Sequence, residues 1–212
     1  MEVSRKTIAK YLGYRGQALD RPTDELVTQA LAELEIITPR HVLARFPLAI
    51  DGDVAQVGDM PFKSKSLAGH LAGCREAVLL AATLGVQADQ MIRKASISHM
   101  SRAVVLQACA AAKLEGYLNL TCAALGQELK KEGLYLTPRF SPGYGDLSLV
   151  CQQELLDVLE AGKRIGLSLT AGKMLAPTKS VTAVIGISPE RQSACIQTCA
   201  RCPNTACPFR EE

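Results

Sequence analysis

The chain contains no tryptophan, only 3 histidines, and 4% aromatic residues in all. So few rings leave little from which to build a base-stacking platform. It also lacks an excess of charge: 24 basic residues against 21 acidic ones leave a net +3. A balance this close to neutral gives no electrostatic reason to expect nucleic acid. Long hydrophobic runs are missing too. A membrane-spanning helix needs about 18 or more consecutive apolar residues, whereas the best run, Ala77 to Val86, is shorter and contains Thr83 and Gly85. The opening Met-Glu-Val-Ser-Arg-Lys is charged and has no apolar segment like that of a signal peptide. These absences predict a cytoplasmic protein with neither nucleic acid nor membrane as a partner. No Ser-His-Asp arrangement, nucleophile elbow or phosphate loop occurs either.

What is present describes a globular chain. Its 212 residues are 48% hydrophobic and 21% charged, ordinary values for a length that can bury a proper core. The 8 cysteines are unevenly placed. Cys74, Cys109, Cys122 and Cys151 are scattered in apolar or mixed surroundings, while Cys195, Cys199, Cys202 and Cys207 crowd together near the end. A secreted disulfide framework would spread along the chain; a cytosolic cluster points to metal.

Hydrophobic spacing places the elements. Leu26, Val27, Ala30, Leu31, Leu34 and Ile37 recur at helical intervals, so a helix is expected over Thr23 to Ile37, stopped by Pro39. Val42 to Phe46 and Val54 to Val57 read as strands around an Asp-Gly-Asp turn. Ser66 to Gly73 reads as a short helix. Glu76 to Thr83 is a nearly continuous apolar run, either a buried strand or a buried helical turn. From Gln87 to Lys131 two helices are expected, the second long, alanine-rich and starting near Ser98. Leu134 to Leu149, with its prolines and glycines, reads as a loop. Gln152 to Gly162 reads as a helix, and the β-branched Ser180 to Ile187 as a strand.

The most informative stretch is Thr-Pro-Arg-Phe-Ser-Pro-Gly-Tyr-Gly-Asp-Leu, residues 137–147. Pro138 and Pro142 fix φ, while Gly143 and Gly145 permit backbone shapes closed to other residues. Such a loop exposes backbone amides and carbonyls to a ligand, with Arg139 and Tyr144 beside them. Arginine matches a carboxylate through two parallel hydrogen bonds; tyrosine offers an apolar face and one hydroxyl. The plainer alternative is a structural turn whose arginine caps the preceding helix.

Arg139-x-x-x-Gly143-Tyr144 resembles the S-adenosylmethionine-binding motif of the activation domain of cobalamin-dependent methionine synthase. Leu169-Thr170, Met174 and Pro177-x-Lys179-Ser180-Val181, leading into Thr182 to Gly186, look like the strand-forming segment that follows that motif. Ala82-Thr83-Leu84-Gly85 and the helix carrying Glu115 are similar to the free-standing bacterial form. The likeness spans about residues 5 to 188.

This resemblance implies a defined chemistry. The partner enzyme's cob(I)alamin occasionally oxidises to inactive cob(II)alamin. One electron from a separate donor, such as flavodoxin or ferredoxin, regenerates cob(I)alamin, and S-adenosylmethionine methylates it. The domain needs no acid or base, only to hold the methyl group in line with cobalt. By the same resemblance Arg139 takes the methionyl carboxylate, and backbone groups of Ser141, Pro142 and Gly143 hold the adenine or ribose. Tyr144 lines the pocket near the sulfonium or meets the corrin. Glu115 contacts the ligand amine or supports Arg139. Lys179 and Ser180, read on their own, either contact corrin amide side chains or the partner, or simply open a strand. The chain departs from the fused enzymes in reading Gly-Asp-Leu after Gly-Tyr. It also lacks cobalamin, folate and homocysteine modules, so a corrinoid must arrive on another protein: a split methionine synthase subunit or another corrinoid methyltransferase.

The spacing Cys195-x-x-x-Cys199-x-x-Cys202-x-x-x-x-Cys207 offers four thiolates, a set that suits tetrahedral zinc or an iron–sulfur cluster, with unmetallated thiols as the third alternative. The expected architecture is α+β: a twisted, mainly antiparallel sheet with packed helices, one of them long. It occupies residues 1–190, with a metal-binding tail at 191–212. Two rival functions remain beside corrinoid reactivation: a non-catalytic module that grips a corrinoid protein, and a metal-binding regulator run by the tail. Among smaller features, His70 is expected to be a surface or satisfied core histidine, and Asp51-Gly52-Asp53 a turn.

Overall fold

The computed structural model describes residues 3–14 and 16–190. The tail and its four cysteines lie outside the described residues, as does the domain boundary placed at 190/191. In chain order the elements are α1 (Arg5–Tyr11), α2 (Arg21–Leu34), β1 (Arg40–Asp51), β2 (Val54–Val57), β3 (Met60–Lys63), α3 (Lys65–His70), β4 (Glu76–Thr83) and α4 (Val86–Ser98). There follow α5 (Met100–Lys131), β5 (Tyr135–Leu136), α6 (Gln152–Val158), α7 (Ala161–Ile165), β6 (Ser168–Leu169), β7 (Leu175–Ala176) and β8 (Ser180–Ser188). The architecture is α+β, as expected, and every strand pairing among the described residues is antiparallel.

The main sheet runs β3-β2-β1-β4-β8-β5, with β6 and β7 forming a separate hairpin. β4 lies at its centre, paired with β1 on one side and β8 on the other. That position explains the unbroken apolar run: a strand covered on both faces has no solvent side on which to place polar residues. Its alternate residues serve two cores. Val78, Leu80 and Ala82 pack under α1, α2, α4 and α5. Ala77, Leu79 and Ala81 face α3, α6, α7 and the β2–β3 hairpin.

α5 holds 32 residues, roughly 48 Å of helix at 1.5 Å per residue. Ala103, Leu106, Ala110, Leu114 and Leu118 are buried at helical spacing, and the alanines bring the helix close to its neighbours. It starts at Met100, close to the expected start, because His99 is extended (φ −148°) and separates it from α4.

Several boundaries differ from expectation. α2 begins at Arg21, because the Asp20 carboxylate accepts the Thr23 N–H at 3.0 Å; Ile37 packs into the core beyond the helix end. β1 runs far past Phe46, because β2 continues the ladder from Leu48 to Asp51. α3 ends at His70 rather than Gly73. The single helix expected over 152–162 is two helices. Glu160 takes a left-handed conformation (φ 49°) between them, and the turn lets both Leu159 and Ala161 be buried. α1, the β3 strand, β5 inside the stretch expected to be loop, and the β6–β7 hairpin were not expected.

Candidate functional site

A cleft of about 830 Å³ opens between α5 and the loop at 137–147, with β8 and the start of α6 as its floor. The α5 wall is one helical face: Glu115, Asn119, Cys122 and Gly126 follow one another at intervals of three or four residues. The opposite wall carries Arg139, Ser141, Pro142 and Tyr144. The floor includes Gln152, Ser180 and Thr182.

The loop is pinned to the sheet where it lines the cleft. Thr137 N–H donates to Gly186 O at 2.9 Å, and Gly186 N–H to Thr137 Oγ1 at 2.8 Å. Phe140 then exchanges two backbone hydrogen bonds with Val184, at 2.9 and 2.8 Å. Beyond Phe140 the chain folds on itself. Gly143 N–H donates to Leu147 O, and Tyr144 N–H to Ser141 O. Gly143 (φ 93°) and Gly145 (φ 52°) supply the left-handed turns this path needs.

Arg139 is only 18% exposed and is fully oriented. One guanidinium nitrogen donates to Glu115 in an ion pair, and another to Asn119 Oδ1 at 3.1 Å, with Cys122 Sγ 3.8 Å away. The arginine therefore meets the middle of α5 and does not cap the helix that precedes the loop. It lines the cleft together with these three α5 partners. Burial, then the nearby Glu115 carboxylate, pushes the Tyr11 phenol above its ordinary pKa, and Tyr144 adds to the effect. The end of α1 thus lies within electrostatic reach of the site.

The sequence-derived residues divide clearly. Arg139, Ser141, Pro142, Tyr144, Glu115 and Ser180 line one cleft. Gly143 does not line it and shapes the turn, with its N–H occupied by Leu147 O. Lys179 is not among the lining residues either. It is half-buried, and burial lowers its pKa while Asp89 opposes the change. The Ser180 hydroxyl lies 2.6 Å from Pro177 O and 2.8 Å from Thr83 Oγ1, so it braces its own strand.

Asn119, Cys122, Gln152, Thr182 and Tyr11 were not anticipated. The helical periodicity around Glu115 was the available signal for Asn119 and Cys122. Gln152 and Thr182 reach the floor through tertiary folding, where Thr182 Oγ1 donates to Gln152 Oε1 at 3.2 Å. His70 is buried as one of the two expected alternatives, yet only half satisfied: Nε2 donates to Pro138 O at 2.8 Å, and Nδ1 has no partner among the described residues. Among the described residues no group of three or more His, Cys, Asp or Glu side chains is arranged to hold a metal. No described helix is long and apolar enough to cross a membrane.

No protein-family model matches the chain, and no curated protein matches it in sequence. A solved structure does match it: a crystal structure of the MetH reactivation domain bound to AdoHcy. The TM-score is 0.62 at 17% identity, over 90% of this chain and 78% of that one. The chain has the fold of that reactivation domain.

Proposed function

We propose that the cleft binds S-adenosylmethionine and presents its methyl group to a corrinoid carried by another protein, so that an oxidised cobalt centre is returned to its methylated state. The observation that supports this best is the meeting of the Arg-x-x-x-Gly-Tyr loop and Glu115 in one cleft, in a fold whose solved counterpart holds AdoHcy. Arg139 and Glu115 are complementary to an α-amino acid. The guanidinium suits the methionyl carboxylate, and Glu115 suits the ammonium. The Ser141 N–H and the Pro142 carbonyl are the loop groups left for the nucleoside. Tyr144, 58% exposed, stands at the mouth, where a sulfonium methyl would face outward.

The reaction consumes one electron from a separate donor, which reduces cob(II)alamin to cob(I)alamin. The reduced cobalt then displaces the sulfonium: the sulfur–methyl bond breaks, a cobalt–methyl bond forms, and S-adenosylhomocysteine leaves with the electron pair. Nothing in this step asks the chain for a proton. Its work is binding and alignment, which fits a cleft lined by an oriented arginine, amides and hydroxyls. The partner, a methionine synthase subunit or another corrinoid methyltransferase, belongs to the same proposal, as does a flavodoxin- or ferredoxin-like donor.

The test is transfer of radiolabelled methyl from S-adenosylmethionine to a cob(II)alamin-loaded corrinoid protein under a chemical reductant. Label should reach the corrinoid only with this protein present, and Arg139→Ala should abolish the gain. Transfer at the same rate without the protein would refute the proposal. S-adenosylmethionine binding without any transfer would favour a gripping module that performs no chemistry.

A further inference from the structure

The tip of the loop, residues 141–147, projects past its last bridge to the sheet at Phe140. Its internal hydrogen bonds fix its shape but not its distance from α5. Arg139 ties the base of the loop to α5 through Glu115 and Asn119; beyond it the tip is held by α3, on the side away from the cleft. No residue of α3 lines the cleft.

Asp146 makes the contact. Its carboxylate accepts the Lys65 N–H at 2.9 Å, the Ser66 N–H at 3.0 Å and the Ser64 hydroxyl at 2.5 Å, about 80 positions away in the chain. These amides open α3 and have no partner within the helix. Ser64 meanwhile accepts the Leu67 N–H at 3.0 Å, so the two caps interlock. The loop sits so close that a Cβ on Gly145 would lie 2.6 Å from Ser66 Oγ. At the other end of α3, His70 holds Pro138 O at 2.8 Å. α3 therefore grips the loop at both ends, and Arg139 and Tyr144 lie between the two grips.

We infer that Asp146 is a positioning residue for the cleft. Docked on the first turn of α3, it sets the gap between the loop tip and α5, and so the affinity for the nucleoside ligand. The inference rests on the reading of the cleft as a nucleoside site. It gives a role to the Gly-Asp-Leu stretch that follows Gly143-Tyr144.

The test is calorimetric titration of S-adenosylhomocysteine into wild type, Asp146→Ala, Asp146→Asn and Asp20→Ala. Asp20 is the control: it caps α2 with a comparable set of contacts, to Thr23 N–H, Thr23 Oγ1 and Tyr14, and lies outside the cleft. Asp146→Ala should weaken binding about tenfold or more, in keeping with the sensitivity of bound geometry to small displacements. Asp146→Asn retains an acceptor and should recover most of the loss. Asp20→Ala should bind like wild type even where its thermal midpoint falls. Wild-type affinity in Asp146→Ala, equal losses in Asp146→Ala and Asp20→Ala, or no recovery in Asp146→Asn would each overturn the inference. Amide hydrogen exchange over residues 138–147, measured without ligand, separates the two proposals. Should wild type fail to bind the nucleoside, the reading of the cleft falls. Faster exchange in Asp146→Ala still supports the clamp, and unchanged exchange overturns it.

Discussion

Arg139 and Glu115, 24 positions apart, meet across the cleft as an ion pair that joins the loop to the middle of α5. Both line the cleft. Glu115 is 37% exposed, so solvent screens the pair and its own contribution to stability is small. Its larger effect is on orientation. Glu115→Gln keeps the shape but loses the charge, and should weaken S-adenosylhomocysteine binding by about 1 kcal/mol, roughly fivefold in Kd. Calorimetric titration of the two proteins checks this.

His70 makes stability depend on pH. Burial lowers its pKa, and the hydrogen bond to Pro138 only partly opposes the change. Folding therefore favours the neutral ring, because protonation would place a second N–H at the unpartnered Nδ1. Below the unfolded pKa of about 6.5 the unfolded chain binds more protons, so stability falls as pH drops from 7 to 5. His41, also lowered by burial, acts in the same direction. The lowered carboxyls of Asp20 and Asp146 lose their contribution only near and below pH 4, outside this window. Urea midpoints at pH 5, 6 and 7 should fall with acidity, and His70→Gln should flatten part of that slope.

Gly186 holds the place where β8, α3 and the start of the loop meet. A Cβ there would lie 2.5 Å from Cys74 Sγ and 2.9 Å from Leu71 Cδ2. Gly186→Ala should destabilise the protein by about 1–3 kcal/mol through overpacking. It should also weaken ligand binding, because Thr137 anchors the loop on Gly186. Denaturant unfolding with and without S-adenosylhomocysteine reads both effects.

The described cysteines should differ in reactivity. Burial pushes the Cys74 and Cys151 thiols up to about 11 and Cys109 to about 12, which leaves almost no thiolate at neutral pH. Cys122 lines the cleft. Iodoacetamide should modify Cys122 ahead of the other three, and S-adenosylhomocysteine should protect it. Peptide mass spectrometry after a short exposure gives the order.

The legible parts of this chain are those with one dominant cause. β4 announces itself because a doubly covered strand must be apolar throughout. α5 does so because its buried alanines and leucines repeat over 32 residues. The loop at 137–147 was legible because few other needs place two prolines and two glycines around an arginine and a tyrosine. What stayed hidden is what tertiary contact creates. α1 buries Ile8 alone and is tied to α2 by Arg5, which meets Asp24 and Thr28. The break at Glu160 arises because two buried neighbours need a turn between them. Gln152 and Thr182 are 30 positions apart and become partners only when α6 crosses β8. Asp146 read as a departure from a motif, and its partners at Ser64 to Ser66 are invisible until the loop is laid against α3.

The most direct measurement is the titration of S-adenosylhomocysteine into wild type and Arg139→Ala. Saturable binding at one site per chain is expected in wild type. Arg139→Ala should lose about 2 kcal/mol or more, roughly thirtyfold in Kd, as the charged contact to the ligand carboxylate disappears. Equal affinity in the two proteins, or no binding to wild type at saturating ligand, would contradict the assignment of this cleft.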